Sequence, residues 1–338
     1  MLDVLALMAP FFGLVALGWV AARRGLLPLD GIGGLMAFVL HFALAALLLR
    51  LAAQGRLQAG ASLTLLLVYA AASLVVMALG LWWAQRAGLS RRDGALAALV
   101  TAFPNTGFLG LPLLTGLLGP DAAGPVAATL LVDVLLSCSL AMAWAHAQPR
   151  TAHGAAVGDP GPLAALLSSL KGALRNPLMQ AMAVGLLVSA LGWTVAKPLD
   201  DILRLLGQAS TPAALFTLGA VVARSQMLPA PTPRLAAQAL LGRAPSLWWL
   251  VALKLLVHPA LVWLLSALAA KLGHALPPLS VWALTLAAAL PSAANVSMLA
   301  EREGADAALV ARVILWTTAA AVGTLLLWSR LLGVQAVA

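Results

Sequence analysis

A chain of 338 residues that is 62% hydrophobic and only 9% charged cannot clothe a water-facing surface in polar groups. Its mean hydropathy of +0.99 describes a protein whose solvent is a bilayer, and its single cysteine, Cys138, excludes an intrachain disulfide. The net charge of +9 is not a nucleic-acid signature, because the Lys and Arg residues sit in short gaps between apolar runs.

A spanning helix needs about 20 mostly apolar residues. The sequence predicts ten, near residues 4–22, 32–52, 61–85, 94–118, 124–146, 176–196, 200–223, 246–271, 279–300 and 305–329. The first has Arg23 and Arg24 behind it and no basic stretch ahead of it, so it reads as a retained span rather than a signal peptide. A Gly- and Pro-rich linker at 147–175 divides the chain into halves, 1–146 and 176–338. A second connection at 225–245 has room for a short surface helix.

Charge sets the expected orientation. Connections after odd-numbered spans carry Arg23, Arg24, Arg86, Arg91, Arg92, Arg150, Lys171, Arg175, Arg224, Arg234, Arg243 and Arg302. Those after even-numbered spans carry Arg50, Arg56, Lys197, Arg204, Lys271 and Arg330. The bias predicts a multi-pass protein of the inner or plasma membrane with both termini extracytoplasmic and the linker cytoplasmic.

The two halves echo one another. Pro10 and Pro177 open the first and sixth spans, which end "ALGWVA" and "ALGWTVA". "AALL" (45–48) in the second matches "PAAL" (212–215) in the seventh. "TAFPNTG" in the fourth matches "AALPSAAN" in the ninth. An odd number of spans per half makes this an inverted repeat, in an all-α membrane protein of ten transmembrane helices. Proline removes a backbone donor, and unpaired backbone cannot face lipid. Helices four and nine, broken at Pro104 and Pro291, therefore line an enclosed cavity, and paired broken helices are the best sequence pointer to a carrier's binding site. The breaks expose helix N-termini that favour anions, and Pro104, Asn105, Thr106, Pro291, Ser292 and Asn295 become the candidate substrate residues.

These stretches resemble the auxin efflux carrier family, which includes plant PIN exporters and bacterial organic-acid carriers. "FPNTGFLGLPLL" (103–114) resembles the family's first crossover and "LPSAANVSMLAEREGAD" (290–306) its second, while "NPL" (176–178) and "TPAALFTLG" (211–219) resemble its sixth and seventh spans. The resemblance implies a fold like that of the bile-acid sodium symporters. It also implies a scaffold of spans 1, 2, 6 and 7, a transport unit of spans 3–5 and 8–10, elevator movement and a scaffold-mediated homodimer. The family's second-span proline is absent, since Ala45-Ala46 stand there, and the short linker is that of bacterial members.

Ionisable residues inside spans are costly and mark function or fixed pairing. Asp133, Lys254 and His258 are candidates for coupling or charge pairing. Arg312 reads as a snorkelling side chain, and His41 and His258 as hydrogen-bonding ones. The expected function is secondary transport of a small organic anion, a carboxylate, at the fourth/ninth crossover. Proton coupling through Asp133 is expected ahead of sodium, and no cofactor or metal is expected. The absence of H-E-x-x-H, G-x-S-x-G and Walker motifs argues against an enzyme or an ATP-driven pump. A non-transporting membrane sensor and an intramembrane enzyme are the competing readings.

Overall fold

The computed structural model describes residues 2–55, 62–146, 171, 176–227 and 247–334. Apart from Lys171, the linker at 147–175 lies outside the described residues, as does most of the second connection, 228–246. Among the described residues the fold is all helix. In chain order the helices are α1 (Leu2–Arg23), α2 (Gly31–Ala53), α3 (Leu63–Arg86), α4 (Arg91–Ala102), α5 (Thr106–Leu118) and α6 (Pro120–His146). After the linker come α7 (Pro177–Ala190), α8 (Lys197–Met227), α9 (Leu247–Lys271), α10 (Pro278–Ala288), α11 (Asn295–Arg302) and α12 (Ala307–Leu331).

Six of these, α2, α3, α6, α8, α9 and α12, are long and apolar enough to cross a membrane. Shorter apolar helices include α5, α7 and α10. Side-chain caps fix several starts: Ser62 accepts from Leu65 N–H, Ser90 from Asp93 N–H, Asn176 from Leu178 N–H and Asp306 from Leu309 N–H. Between α5 and α6 the chain reverses through Gly119 at φ +90°, a conformation costly for any side chain.

Glycine lets two helix pairs touch backbone to backbone. A Cβ on Gly18 of α1 would overlap the Phe216 carbonyl of α8, and one on Gly219 of α8 would overlap the Val15 carbonyl of α1. A Cβ on Gly185 of α7 would overlap the Leu49 carbonyl of α2. Small residues at such crossings replace the hydrophobic drive that lipid removes. The "ALGW" match does not mark equivalent structure: residues 16–21 lie inside α1, whereas α7 has ended at Ala190 before the second copy is complete.

Among the described residues, four π-helical stretches interrupt otherwise regular spans: Val39–Ala43, Thr106–Gly110, Asp133–Cys138 and Leu253–Val257. They contain His41, Thr106, Asp133 and Lys254. Such one-turn widenings are rare and gather at functional sites.

The tryptophans divide. Trp82 and Trp144 are exposed under the guanidiniums of Arg86 and Arg91, as interfacial rings are. Trp83 and Trp328 are buried instead. Trp328 Nε1 donates to the Leu255 carbonyl at 3.0 Å, which the residue four positions on, Pro259, has no N–H to meet.

Candidate functional site

Among the described residues the chain unwinds between α4 and α5 and between α10 and α11, and the two unwound stretches meet. Asn105 N–H donates to the Pro291 carbonyl at 2.8 Å, and Ala293 N–H to the Phe103 carbonyl at 3.0 Å. Pro104 and Ser292 thus face each other in a short antiparallel bridge.

Backbone groups freed by the breaks find partners from other elements, as buried main chain must. Pro104 cannot donate to the Val100 carbonyl, which accepts instead from Ser292 Oγ at 2.6 Å. In an unbroken helix Ser292 N–H would donate to the Ala288 carbonyl. It donates to Thr317 Oγ1 of α12 at 3.1 Å, and Lys254 Nζ of α9 takes over the Ala288 carbonyl at 2.6 Å.

Three side-chain atoms at the crossover stay unmatched. Asn105 Nδ2, Thr106 Oγ1 and Asn295 Oδ1 are buried without a hydrogen-bond partner among the described residues. A buried polar atom left so costs about 1–3 kcal/mol unless a ligand or water meets it. Asn105 and Asn295 line a cavity of about 90 Å³, well above the ~10–15 Å³ that admits one water. Pro104 and Ala293 also line it from the crossover, Leu40 and His41 from α2, Asn176 and Pro177 from the head of α7, and Leu130 and Val134 from α6. Three helices, α5, α7 and α11, begin beside this wall, at Thr106, Pro177 and Asn295. Each N-terminus carries about half a positive charge, so a space without any acidic side chain in its wall is electropositive.

Asp133, Lys254 and His258 form a separate, fully buried cluster. Tyr69 Oη reaches both Asp133 carboxylate oxygens at 3.3 Å. Ser73 Oγ lies 3.3 Å from His258 Nε2, and Lys254 Nζ lies 3.5 Å from His258 Nδ1. Lys254 also acts electrostatically on Asp133. The predicted residues therefore fall into two groups, and the Lys254–Ala288 hydrogen bond joins them.

Near the charged end of α11, Glu301 meets Arg224 of α8 at 3.7 Å, and Glu303 meets His146 of α6 at 2.7 Å and Arg302 at 3.1 Å. Burial pushes the Glu303 carboxyl up, but the His146 and Arg302 hydrogen bonds outweigh it and hold it below the usual glutamate range. Its contribution to stability is present above about pH 4.3 and is lost as pH falls through the lower folded-state value. Arg312 keeps a buried Nε without a partner among the described residues.

Comparison with known proteins identifies the family. The membrane transport protein family matches residues 3–329. The chain belongs to that family, the one containing the auxin efflux carriers. It is a multi-pass membrane transporter and not an enzyme. A relative from Rhizobium meliloti (strain 1021), named "Putative malonate transporter", is 27% identical over 328 residues, covering 96% of this chain and 94% of that one.

In this carrier, sequence reasoning missed Tyr69, Ser73 and Thr317. Tyr69 is the only tyrosine in the chain and stands four residues before Ser73, one helical turn along an apolar span. That spacing mirrors Lys254 and His258, and was the available signal. Thr317 had none, since its partner is main chain.

Proposed function

We propose that this carrier moves a small organic anion, of the size and charge of malonate, by secondary transport through the crossover cavity. One observation carries the reading: two helices unwind against each other and leave the Asn105 Nδ2 donor unmatched at an electropositive cavity. A carboxylate is the complement of such a wall, and the name borne by the Rhizobium relative agrees with one.

The architecture proposed around it is ten spans in two inverted five-helix repeats, 1–146 and 176–338, joined by a cytoplasmic linker at 147–175. Contact geometry supports this. Gly185 follows Gly18 by 167 residues, and Phe216 follows Leu49 by the same 167, so the Gly18–Phe216 and Gly185–Leu49 contacts exchange under one shift. Pro10 and Pro177 obey it too. In this reading α1, α2, α7 and α8 form the scaffold of a homodimer, and α3–α6 with α9–α12 form the elevator. Both termini are extracytoplasmic, in an inner or plasma membrane. Protons rather than sodium couple the movement, with Asp133 as carrier.

Counterflow of radiolabelled malonate into proteoliposomes tests the proposal. Asn105→Ala is expected to lower uptake about tenfold or more, the loss of one charge-assisted hydrogen bond, and Asn295→Ala to lower it through the changed cavity wall. An inward proton gradient made by raising the internal pH at a fixed external pH is expected to stimulate wild type and to leave Asp133→Asn unchanged. Binding without counterflow would recast the protein as a sensor, and undiminished uptake in both asparagine variants would displace the site.

A further inference from the structure

We propose that His41 reads the second anionic group of the substrate, and that binding a doubly charged anion loads a proton onto its ring. The inference rests on the crossover reading above and adds what that reading lacks, a cation for the second charge. The crossover side of the cavity offers neutral donors and helix N-termini, which suit one carboxylate. Among the residues lining the cavity, His41 is the single titratable side chain.

The ring's hydrogen bonding fixes how it can act. His41 Nδ1 lies 3.1 Å from the carbonyl oxygen of Ala37. A carbonyl only accepts, so Nδ1 carries the hydrogen, and in the neutral ring Nε2 presents a bare lone pair. Nε2 has no partner among the described residues. A bare lone pair repels a carboxylate; Nε2 attracts one only after gaining a proton. Proton uptake and capture of the second anionic group are then one event, and a dianion enters the site with one of its charges neutralised. The residue stands in the π-helical stretch Val39–Ala43, the local widening of α2 that borders the cavity.

The other charges on the elements packed against this stretch are engaged elsewhere. Arg50 of α2 holds Asp200 of α8 at 2.7 Å, Arg204 holds Asp201 at 3.2 Å, and Arg224 meets Glu301 at 3.7 Å. Lys197 begins α8 at its far end, and α7 carries no titratable residue. Asp133 of α6 is bonded by Tyr69, away from the Leu130–Val134 face that lines the cavity.

Equilibrium binding to the purified full-length carrier distinguishes the outcomes, with acetate as the singly charged probe and sulfoacetate as one that keeps two charges between about pH 8 and 6. Sulfoacetate is expected to bind about tenfold more tightly at the lower pH, with acetate unchanged. His41→Gln should remove that gain and bring sulfoacetate down to the acetate level without altering acetate. His41→Lys should keep the preference for sulfoacetate and lose its pH dependence. The proposal is overturned if His41→Gln retains the pH-dependent gain, or if it loses both probes equally with its melting temperature unchanged. Persistence of both probes in Asn105→Ala would mark a different failure, that of the crossover reading itself.

Discussion

A lysine whose ammonium is fully buried and donates to a main-chain carbonyl holds backbone before it holds anything else. Lys254 replaces the N–H that Ser292 withdrew from Ala288, so it caps the last turn of α10, where a helix carries partial negative charge. Lys254→Met keeps most of the volume and leaves the carbonyl unpaired, an expected loss of about 1–3 kcal/mol. Thermal unfolding of the purified carrier should show it. The double variant with Asp133→Asn should be less destabilised than the two single losses combined, since the two buried groups act on each other electrostatically and each single loss deprives the other of that partner. Simple additivity would mean that the two residues do not interact. At this scale the sequence was half legible. Asp133 and Lys254 declared themselves as isolated charges in apolar runs, whereas the carbonyl that Lys254 serves has no signature, because every residue has one.

Helices make the same point about what pattern can carry. Hydropathy located the apolar helices, six of those among the described residues long enough to cross a membrane, and Pro104 and Pro291 located the breaks, since a missing N–H is written in the residue itself. The π-helical stretches were not legible: Pro259 follows one closely, but Asp133–Cys138 contains no proline or glycine. The repeated "ALGW" tetrad drew attention to the wrong glycine, Gly192 in a turn, while the equivalent of Gly18 in contact geometry is Gly185. Gly219→Val tests that crossing. Its side chain would have to displace α1 backbone at Val15 and Trp19, at an expected cost of about 1–3 kcal/mol or more. Gly13→Val on α1, where a Cβ meets nothing within 4 Å, is the control and should be silent. Equal melting temperatures for the two variants would show that α1 and α8 are not locked backbone to backbone.

At the scale of the whole carrier, the movement proposed for α3–α6 and α9–α12 against α1, α2, α7 and α8 would have a definite consequence. Arg224 belongs to the proposed scaffold and Glu301 to the proposed elevator, so their ion pair must part in every cycle. Its geometry permits this. At 3.7 Å, with the Glu301 side chain 47% exposed, it is worth less than about 1 kcal/mol and offers little barrier to separation. A tether shorter than the travel should therefore stop transport without touching the substrate site. Arg224→Cys with Glu301→Cys, in a background where Cys138 is Ser, provides the attachment points, and a short bis-maleimide provides the tether. Cross-linked protein is expected to bind malonate as before and to lose counterflow, while each single-cysteine variant treated alike keeps it. Full counterflow through cross-linked carrier would mean that these two ends never separate, and the scaffold and elevator would have to be divided elsewhere.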